Sequence, residues 1–301
     1  MRAPADRDDS VKHQKCLFWT AAVIAGLPVV LGEMRHQPSS PHVQDAAICA
    51  IVDVLDEHIE DPASSARDCG LEPQQVPRTI ETVAEAMRVH RTHVPVQFSG
   101  CNALGLLHAA LPPTEDMPAE VVRTVLAALR WHREEHKVAS SAFGALRAFL
   151  EPRGGRECAA SKGSVHRLTE VLRAGDVKST TLQVLDDFSL TRDTTLVEDA
   201  FYTLGLVEGI PAVLQVLVGS NRVCVLLRSG GLKALFELGR MFPDLMAPPR
   251  SSEVLAVAGA IAGEASSLNE AAGPGDVNAE VVELLRLVEL VRGLLGHVSS
   301  P

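Results

Sequence analysis

The residues whose spacing comes closest to that of a catalytic site are His132, Glu135 and His136. Their H-x-x-E-H spacing occurs in one class of zinc peptidases. On a single helix, two histidines four residues apart hold a metal together while the glutamate activates a water molecule. The repeat pattern described below places the segment in a turn between helices, and no third ligand is recognisable. We therefore predict a polar turn with no metal or other cofactor, and keep a metal-dependent hydrolase as a remote alternative.

A second set of candidates consists of four arginines at equivalent positions of a repeated pattern: Arg35, Arg88, Arg130 and Arg173. Arginine binds carboxylate and phosphate groups through two parallel hydrogen bonds, so a row of arginines is suited to an acidic partner. The alternative is that each arginine lies in the last turn of its helix, where the partial negative charge of the helix C-terminus favours a cation. We prefer the second interpretation because it explains the recurrence without a ligand.

The arginines recur because the chain repeats itself. The segment Ala86–His90 matches Ala128–His132, and Met34 in an earlier copy matches Met87. A repeat interval of about 40 residues is typical of small helical units that stack on one another. Such stacks present long surfaces to partner proteins, so the repeat indicates binding rather than catalysis.

Each repeated unit is predicted to be at least a helical hairpin. Apolar residues at helical spacing mark the first helix of two units. These stripes are Ile80, Val83, Ala84 and Met87 in one unit, and Val122, Val125, Leu126 and Leu129 in the next. A fourth unit, from Val165 to Leu185, has lost residues from its turn, where a repeat protein tolerates deletion. A fifth unit is predicted to begin at Gly209, and a sixth at Gly230.

Composition limits the classes of function. The chain has 301 residues, of which 46% are hydrophobic and 22% charged, so a continuous buried core is expected. The formal net charge of −10 argues against nucleic acid or an anionic membrane as a partner, because phosphate binding draws mainly on lysine and arginine. The six cysteines show no C-x-x-C spacing, which fits a reducing compartment, the cytoplasm or the nucleus.

Residues 16–32 form a largely uncharged run that resembles a signal peptide or a short membrane span. Three aspartates precede the run, Pro28 interrupts it, and no clear cleavage site follows. The sequence around Pro28 also matches the sequence around Pro211 inside the chain. We therefore expect a buried helix here and neither a targeting segment nor a membrane anchor.

The repeated segments resemble armadillo repeats. The residues that carry this resemblance are the helix openings Gly26-Leu27-Pro28, Gly209-Ile210-Pro211 and Gly230-Gly231-Leu232, and the pairs Val43-Gln44 with Ala50-Ile51 and Val96-Gln97 with Ala103-Leu104. The resemblance covers roughly residues 16 to 240. It implies an all-α, right-handed solenoid of about five or six units, whose third helices line a concave groove that holds other proteins.

In the nuclear-import adaptors of that family, third helices carry a Trp-x-x-x-Asn ladder that binds basic peptides. The corresponding pairs here are Cys49/Asp53, Asn102/Leu106, Gly144/Ala148 and Gln183/Asp187, and none matches. Import-adaptor activity is therefore not expected. The polar members of these pairs remain candidates for partner contact, and the alternative is that they are solvated helix faces. The candidates are Asp53, Asn102, Gln183 and Asp187.

These observations predict a non-enzymatic scaffold or adaptor that binds one or more proteins, with no nucleic acid, membrane or small-molecule substrate as a partner. The alternative within binding is a chaperone cofactor that clasps a folded domain. The predicted organisation is a frayed N-terminus over residues 1–15, armadillo-like repeats over 16–246, and a degenerate repeat with capping helices over 247–301.

Overall fold

Helices make up every regular element in the described part of the chain. The computed structural model describes residues 17–18, 20–21, 26–60, 73–111, 115, 117–151, 159–187, 193–219, 225–247, 249–271 and 279–298. The helices are α1 Leu27–His36, α2 Pro41–Glu60, α3 Val76–Val89, α4 Val94–Ala110, α5 Ala119–Trp131, α6 His136–Leu150, α7 Ala159–Ala174, α8 Val177–Asp187, α9 Thr194–Glu208, α10 Ile210–Gly219, α11 Val225–Met241, α12 Arg250–Ala271 and α13 Ala279–Val298. Short 3-10 helices span Pro73–Gln75 and Pro243–Met246. The predicted all-α class is confirmed.

The helices form two compact units, Met1–Val171 and Leu172–Pro301. In the first unit, α1/α2, α3/α4 and α5/α6 are three hairpins, and in each the two helices are joined by a turn of four residues. Helices α2, α4 and α6 pack side by side in that order, and α1, α3 and α5 form a second layer. The hairpins predicted from the repeat are therefore present.

The predicted apolar stripes form the core between these two layers. Ile80, Val83 and Met87 on α3 are each 1% exposed or less. Val125 and Leu129 on α5 are completely buried at the equivalent positions. Because the same stripe recurs in each hairpin, one apolar layer continues through the stack.

A glutamine closes each of the first two hairpins. The side-chain amide of Gln44 donates to the carbonyl oxygens of Met34 and Gln37, at 2.8 and 3.0 Å. Gln97, at the equivalent position of the next hairpin, makes the same two bonds to the last turn of α3 and the turn that follows, at 2.9 and 3.0 Å. The last carbonyl groups of a helix have no partner within the helix, so the amide satisfies one of them and adds a second bond to the first carbonyl of the turn, which also accepts from a backbone N–H. The recurring Val-Gln pair thus has a structural cause.

In the first unit, a histidine links the second hairpin to the first, and another links the third to the second. Nε2 of His90 lies 2.8 Å from the carbonyl oxygen of Pro38, and Nε2 of His132 lies 2.7 Å from that of Arg91. Because a carbonyl oxygen only accepts, Nε2 must donate in both bonds. The guanidinium of Arg91 also lies over the ring of Trp131, 5.1 Å from its centroid. The same histidine contact therefore recurs at both junctions of the stack.

In the second unit, α9, α11 and α13 pack in that order, and α10 and α12 form the other layer. Gly209 precedes α10 with φ 87° and ψ 169°, nearly the backbone conformation of Gly26 before α1 (81° and 163°). Residues with a side chain rarely adopt positive φ, which explains glycine at both openings. Two of the three predicted openings, at Gly26 and Gly209, are therefore confirmed as helix starts.

The third predicted opening is wrong. Gly230 and Gly231 do not begin a helix but lie inside α11. A Cβ atom on Gly230 would stand 2.5 Å from a methyl carbon of Val197, and one on Gly231 would stand 2.5 Å from a methyl carbon of Leu217. The glycines therefore allow α11 to approach α9 and α10 closely. The next hairpin is α12/α13, which begins at Arg250 and not at Gly230.

The uncharged run at residues 16–32 is described only in part. Residues 16, 19 and 22–25 lie outside the described residues, and Leu27–His36 form α1 with Leu27, Val30 and Met34 buried. No helix in the described part of the chain combines the length and the apolar composition that crossing a membrane requires.

Candidate functional site

The H-x-x-E-H segment lies in the turn between α5 and α6. His132 caps the C-terminus of α5, Glu135 precedes α6, and His136 is the first residue of α6. The two histidines are therefore on different elements, and Nε2 of His132 is bonded to the second hairpin. Among the described residues, no group of three His, Cys, Asp or Glu side chains is placed to hold a metal ion.

The four arginines each lie in the last turn of their helix, as expected from the helix dipole: Arg35, Arg88, Arg130 and Arg173. Their surroundings differ. Arg88 is paired with Glu85, with Nη2 and Oε2 2.6 Å apart. Arg173 donates to the carbonyl oxygen of Val207. Two of the four arginines thus already bind groups of the chain, which favours the interpretation based on the helix dipole, and binding of an acidic partner by the four stays a prediction.

The third-helix positions of the first unit lie on one partly exposed surface. On α2, Cys49 is half-buried and Asp53 exposed, and on α4 both Asn102 and Leu106 are half-buried. The equivalent residues on α6 are also half-buried: Gly144 and Ala148. Residues four apart share one side of a helix, and the three helices pack side by side. We call this surface the α2–α4–α6 face.

The centre of this face is apolar. Helix α4 has no Asp, Glu, Lys or Arg among its 17 residues. Its outer side nevertheless is partly exposed, since Phe98 and Leu106 are half-buried and Ala109 is exposed. A surface helix usually carries charged residues on its solvent side. The uncharged outer side therefore distinguishes α4 from an ordinary surface helix.

Charged residues border the centre on both flanking helices. Asp53 and Asp56 are exposed on α2. At the far end of α6, Arg147 is paired with Glu151, with Nε and Oε1 2.9 Å apart. An apolar centre within a polar rim is the usual composition of a protein-binding surface.

Gln183 and Asp187 are both exposed on α8, which belongs to the second unit. The α2–α4–α6 face is defined within the first unit and does not include them, so their role in partner contact stays a prediction. Sequence comparison between repeats also missed Phe98 and Ala109, which lie on the face. The signal for them was the absence of charge along α4, since a helix that buries only one side has polar residues on the other.

Three histidines and an aspartate meet where the first two hairpins join. The rings of His42 and His93 contact edge to face, with centroids 5.6 Å apart. Burial lowers the pKa of His93 below its usual value, His42 and His90 also lower it, and the carboxylate of Asp45 acts in the opposite direction. Asp45 in turn accepts a hydrogen bond from Ser99 on α4 at 3.0 Å. This cluster lies between α2 and α4, and it couples the two hairpins.

The buried thiol of Cys101 on α4 does not form part of a reactive site. Cys101 is completely buried, and burial raises its pKa to about 12. Because the thiolate is the reactive form, this cysteine behaves as a small apolar residue of the core.

Comparison of this chain with protein-family models, with curated proteins and with solved structures finds no match.

Proposed function

We propose that the first unit is a non-enzymatic protein-binding module that uses the α2–α4–α6 face. The observation that carries the proposal is the uncharged and partly exposed outer side of α4, with Leu106 at its centre. Apolar surface exposed to water costs free energy, which a partner recovers by covering it.

The charges at the edge of the face specify the partner further. Asp53 and Asp56 lie on the α2 side. A fitting partner is a protein segment whose aliphatic side chains cover Leu106 and Ala109 and whose basic side chains approach the two aspartates. Complementary charge at the rim contributes mainly to specificity and to the rate of association.

A catalytic role has less support. The one segment with the spacing of a metal-dependent hydrolase is divided between a turn and the start of α6, so it lacks the single-helix geometry of that motif. The function proposed here requires no metal and no chemical step.

We also propose that the whole chain is an armadillo-like solenoid. Support comes from the side-by-side packing of α2, α4 and α6 in one unit and of α9, α11 and α13 in the other. The matching conformations of Gly26 and Gly209 at two helix openings add to it. In such a solenoid the outer sides of successive third helices form one binding surface.

The test compares the proteins that co-purify with the wild-type chain and with the Leu106→Arg variant. Ala127→Arg is the matched control, because Ala127 is exposed on α5, outside the face. We expect at least one protein to be lost with Leu106→Arg and retained with Ala127→Arg, while the melting temperatures of all three proteins stay similar. Identical sets of co-purified proteins for the two variants would refute the proposal.

A reciprocal measurement tests the predicted charge of the partner. Asp53→Lys with Asp56→Lys is expected to weaken binding of the partner found above by at least tenfold, which corresponds to about 1.4 kcal/mol. Unchanged affinity in isothermal titration calorimetry would show that the partner does not approach α2 through basic side chains.

A further inference from the structure

A groove in the first unit lies between α1 and α3, the first helices of the first two hairpins. Its volume is about 580 Å³, and its lining comes from α1, α3, the turn between α1 and α2, and Gln44. Helices α1 and α3 contact each other less extensively than α3 and α5 do, which leaves space between them. The α2–α4–α6 face belongs to the other layer, so the groove is a separate surface.

The floor of the groove is apolar. Met34 and Ala86 are buried, while Val89, at the last position of α3, is 51% exposed. Val89 is therefore half exposed at one end of the open groove. Its side chain provides an apolar contact for a residue of a bound ligand.

The walls carry charged side chains that have no ion-pair partner among the described residues. Within the described residues, Arg35 on α1 and Arg78 and Glu81 on α3 line the groove without an ion-pair partner. Other arginines of this unit are paired, as Arg88 is with Glu85 and Arg123 with Glu120. The groove thus combines two unneutralised guanidinium groups with one unneutralised carboxylate.

We propose that the α1–α3 groove binds a short acidic peptide segment that carries an aliphatic residue between two carboxylates. The carboxylates pair with Arg35 and Arg78, and the aliphatic side chain lies on Met34, Ala86 and Val89. Guanidinium groups bind carboxylates through paired, charge-assisted hydrogen bonds.

Carboxylate fits this groove better than phosphate. Glu81 and Glu85 also line it, so a dianionic phosphate would meet stronger repulsion than a singly charged carboxylate. The distance along α3 from Arg78 to Val89 is about 16 Å, given a rise of about 1.5 Å per residue. An extended peptide covers that distance with about five residues at about 3.3 Å each.

The test uses three dye-labelled eight-residue peptides that alternate leucine with glutamate, with lysine or with phosphoserine, measured by fluorescence anisotropy. We expect the glutamate peptide to bind the wild-type protein and the lysine peptide not to bind. The Arg35→Gln/Arg78→Gln variant should lose about tenfold or more in affinity, as expected for two charge-assisted pairs. Glu81→Gln should tighten binding, because it removes a repulsive carboxylate from the groove.

The matched control is Arg123→Gln/Arg240→Gln, which removes the same charge from two exposed, ion-paired arginines outside the groove. It should change affinity less than about twofold, as is usual for distant surface charges. An equal loss in the control, or equal binding of the lysine peptide, would show non-specific association and overturn the proposal. Tighter binding of the phosphoserine peptide would overturn it in favour of a phosphate site.

The result of the peptide-binding test does not depend on the function proposed for the α2–α4–α6 face. Leu106→Arg alters the α2–α4–α6 face and should leave binding of the glutamate peptide unchanged. Loss of binding in that variant, with an unchanged melting temperature, would place the peptide on the face and not in the groove.

Discussion

Gln44 and Gln97 occupy the same position in successive hairpins, and each donates hydrogen bonds to the same two backbone carbonyl positions. Both residues are 2% exposed. A helix C-terminus that is buried without such a donor leaves its carbonyl groups without partners, which is costly. Each glutamine therefore links the two helices of its hairpin through hydrogen bonds within the chain.

Replacing Gln97 with leucine should lower the free energy of unfolding by about 1–3 kcal/mol, because the carbonyl group of Met87 loses the side-chain donor and that of His90 keeps only the backbone N–H of His93. Urea denaturation followed by circular dichroism measures the change. Gln215→Leu is the control, since Gln215 is exposed on α10. A loss no larger than in the control would show that the two bonds add nothing to stability.

The third hairpin offers the opposite experiment, because Ala139 stands where the first two hairpins have glutamine. Ala139→Gln should raise the free energy of unfolding by about 0.5–1.5 kcal/mol, as its amide reaches the carbonyl groups of Leu129 and His132. The same measurement on Ala127→Gln, at an exposed position, serves as the comparison. Destabilisation by Ala139→Gln alone would mean that the third hairpin is packed too closely to hold the longer side chain.

Two glycines in helices should respond to alanine in opposite directions. Gly230→Ala is expected to cost about 1–3 kcal/mol, because the new methyl group meets stiff Val197 and the backbone nitrogen of Glu198. Gly32→Ala on α1 is expected to stabilise by about 0.4–1 kcal/mol, because nothing lies within 4 Å of the new carbon. Thermal unfolding of both variants tests the pair, and equal shifts would contradict the close approach of α11 to α9.

Stability should fall as the pH drops below about 6.5, in part because of His93. The pKa of this residue is lowered in the folded protein by burial and by His42. The unfolded chain therefore binds the proton first as the pH falls through the ordinary value near 6.5, which favours unfolding. Above that pH neither state is protonated at His93, and its contribution is constant.

Melting temperatures between pH 5 and 8 measure this effect in wild-type protein and in the His93→Gln variant. The variant should show a weaker dependence on pH in the acidic part of that range. His166→Gln is the matched control, because His166 is exposed on α7. If both variants reproduce the wild-type curve, the acid sensitivity has its origin elsewhere in the chain.

The repeat interval predicted the hairpins because the same apolar stripe must face the same layer in each unit. Ile80 and Val122 illustrate this, since both were assigned to the core from spacing and both are buried. The Gly230-Gly231 pair misled the prediction. Glycine serves both as a helix start that needs positive φ and as a point of close approach inside a helix, and the sequence alone does not separate these uses.

The surfaces were predicted less completely than the core. Asp53 and Asn102 were recognised because they occupy a repeated position, and both lie on the α2–α4–α6 face. The α1–α3 groove could not be predicted, because it depends on how far apart two first helices stand. Arg78 and Glu81 recur in no other unit, so the repeat gave no indication of them.

The histidine bonds at the two junctions bear on where residues can be inserted into the chain. Both bonds join one four-residue turn to the next, so each junction has a contact that does not involve the segment leading from one hairpin to another. That segment spans 61–75 before the second hairpin and only 111–118 before the third, yet the junction contact is the same. Insertions between hairpins of the first unit should therefore be tolerated, whereas a single residue added to a turn should disturb the histidine contact at that junction.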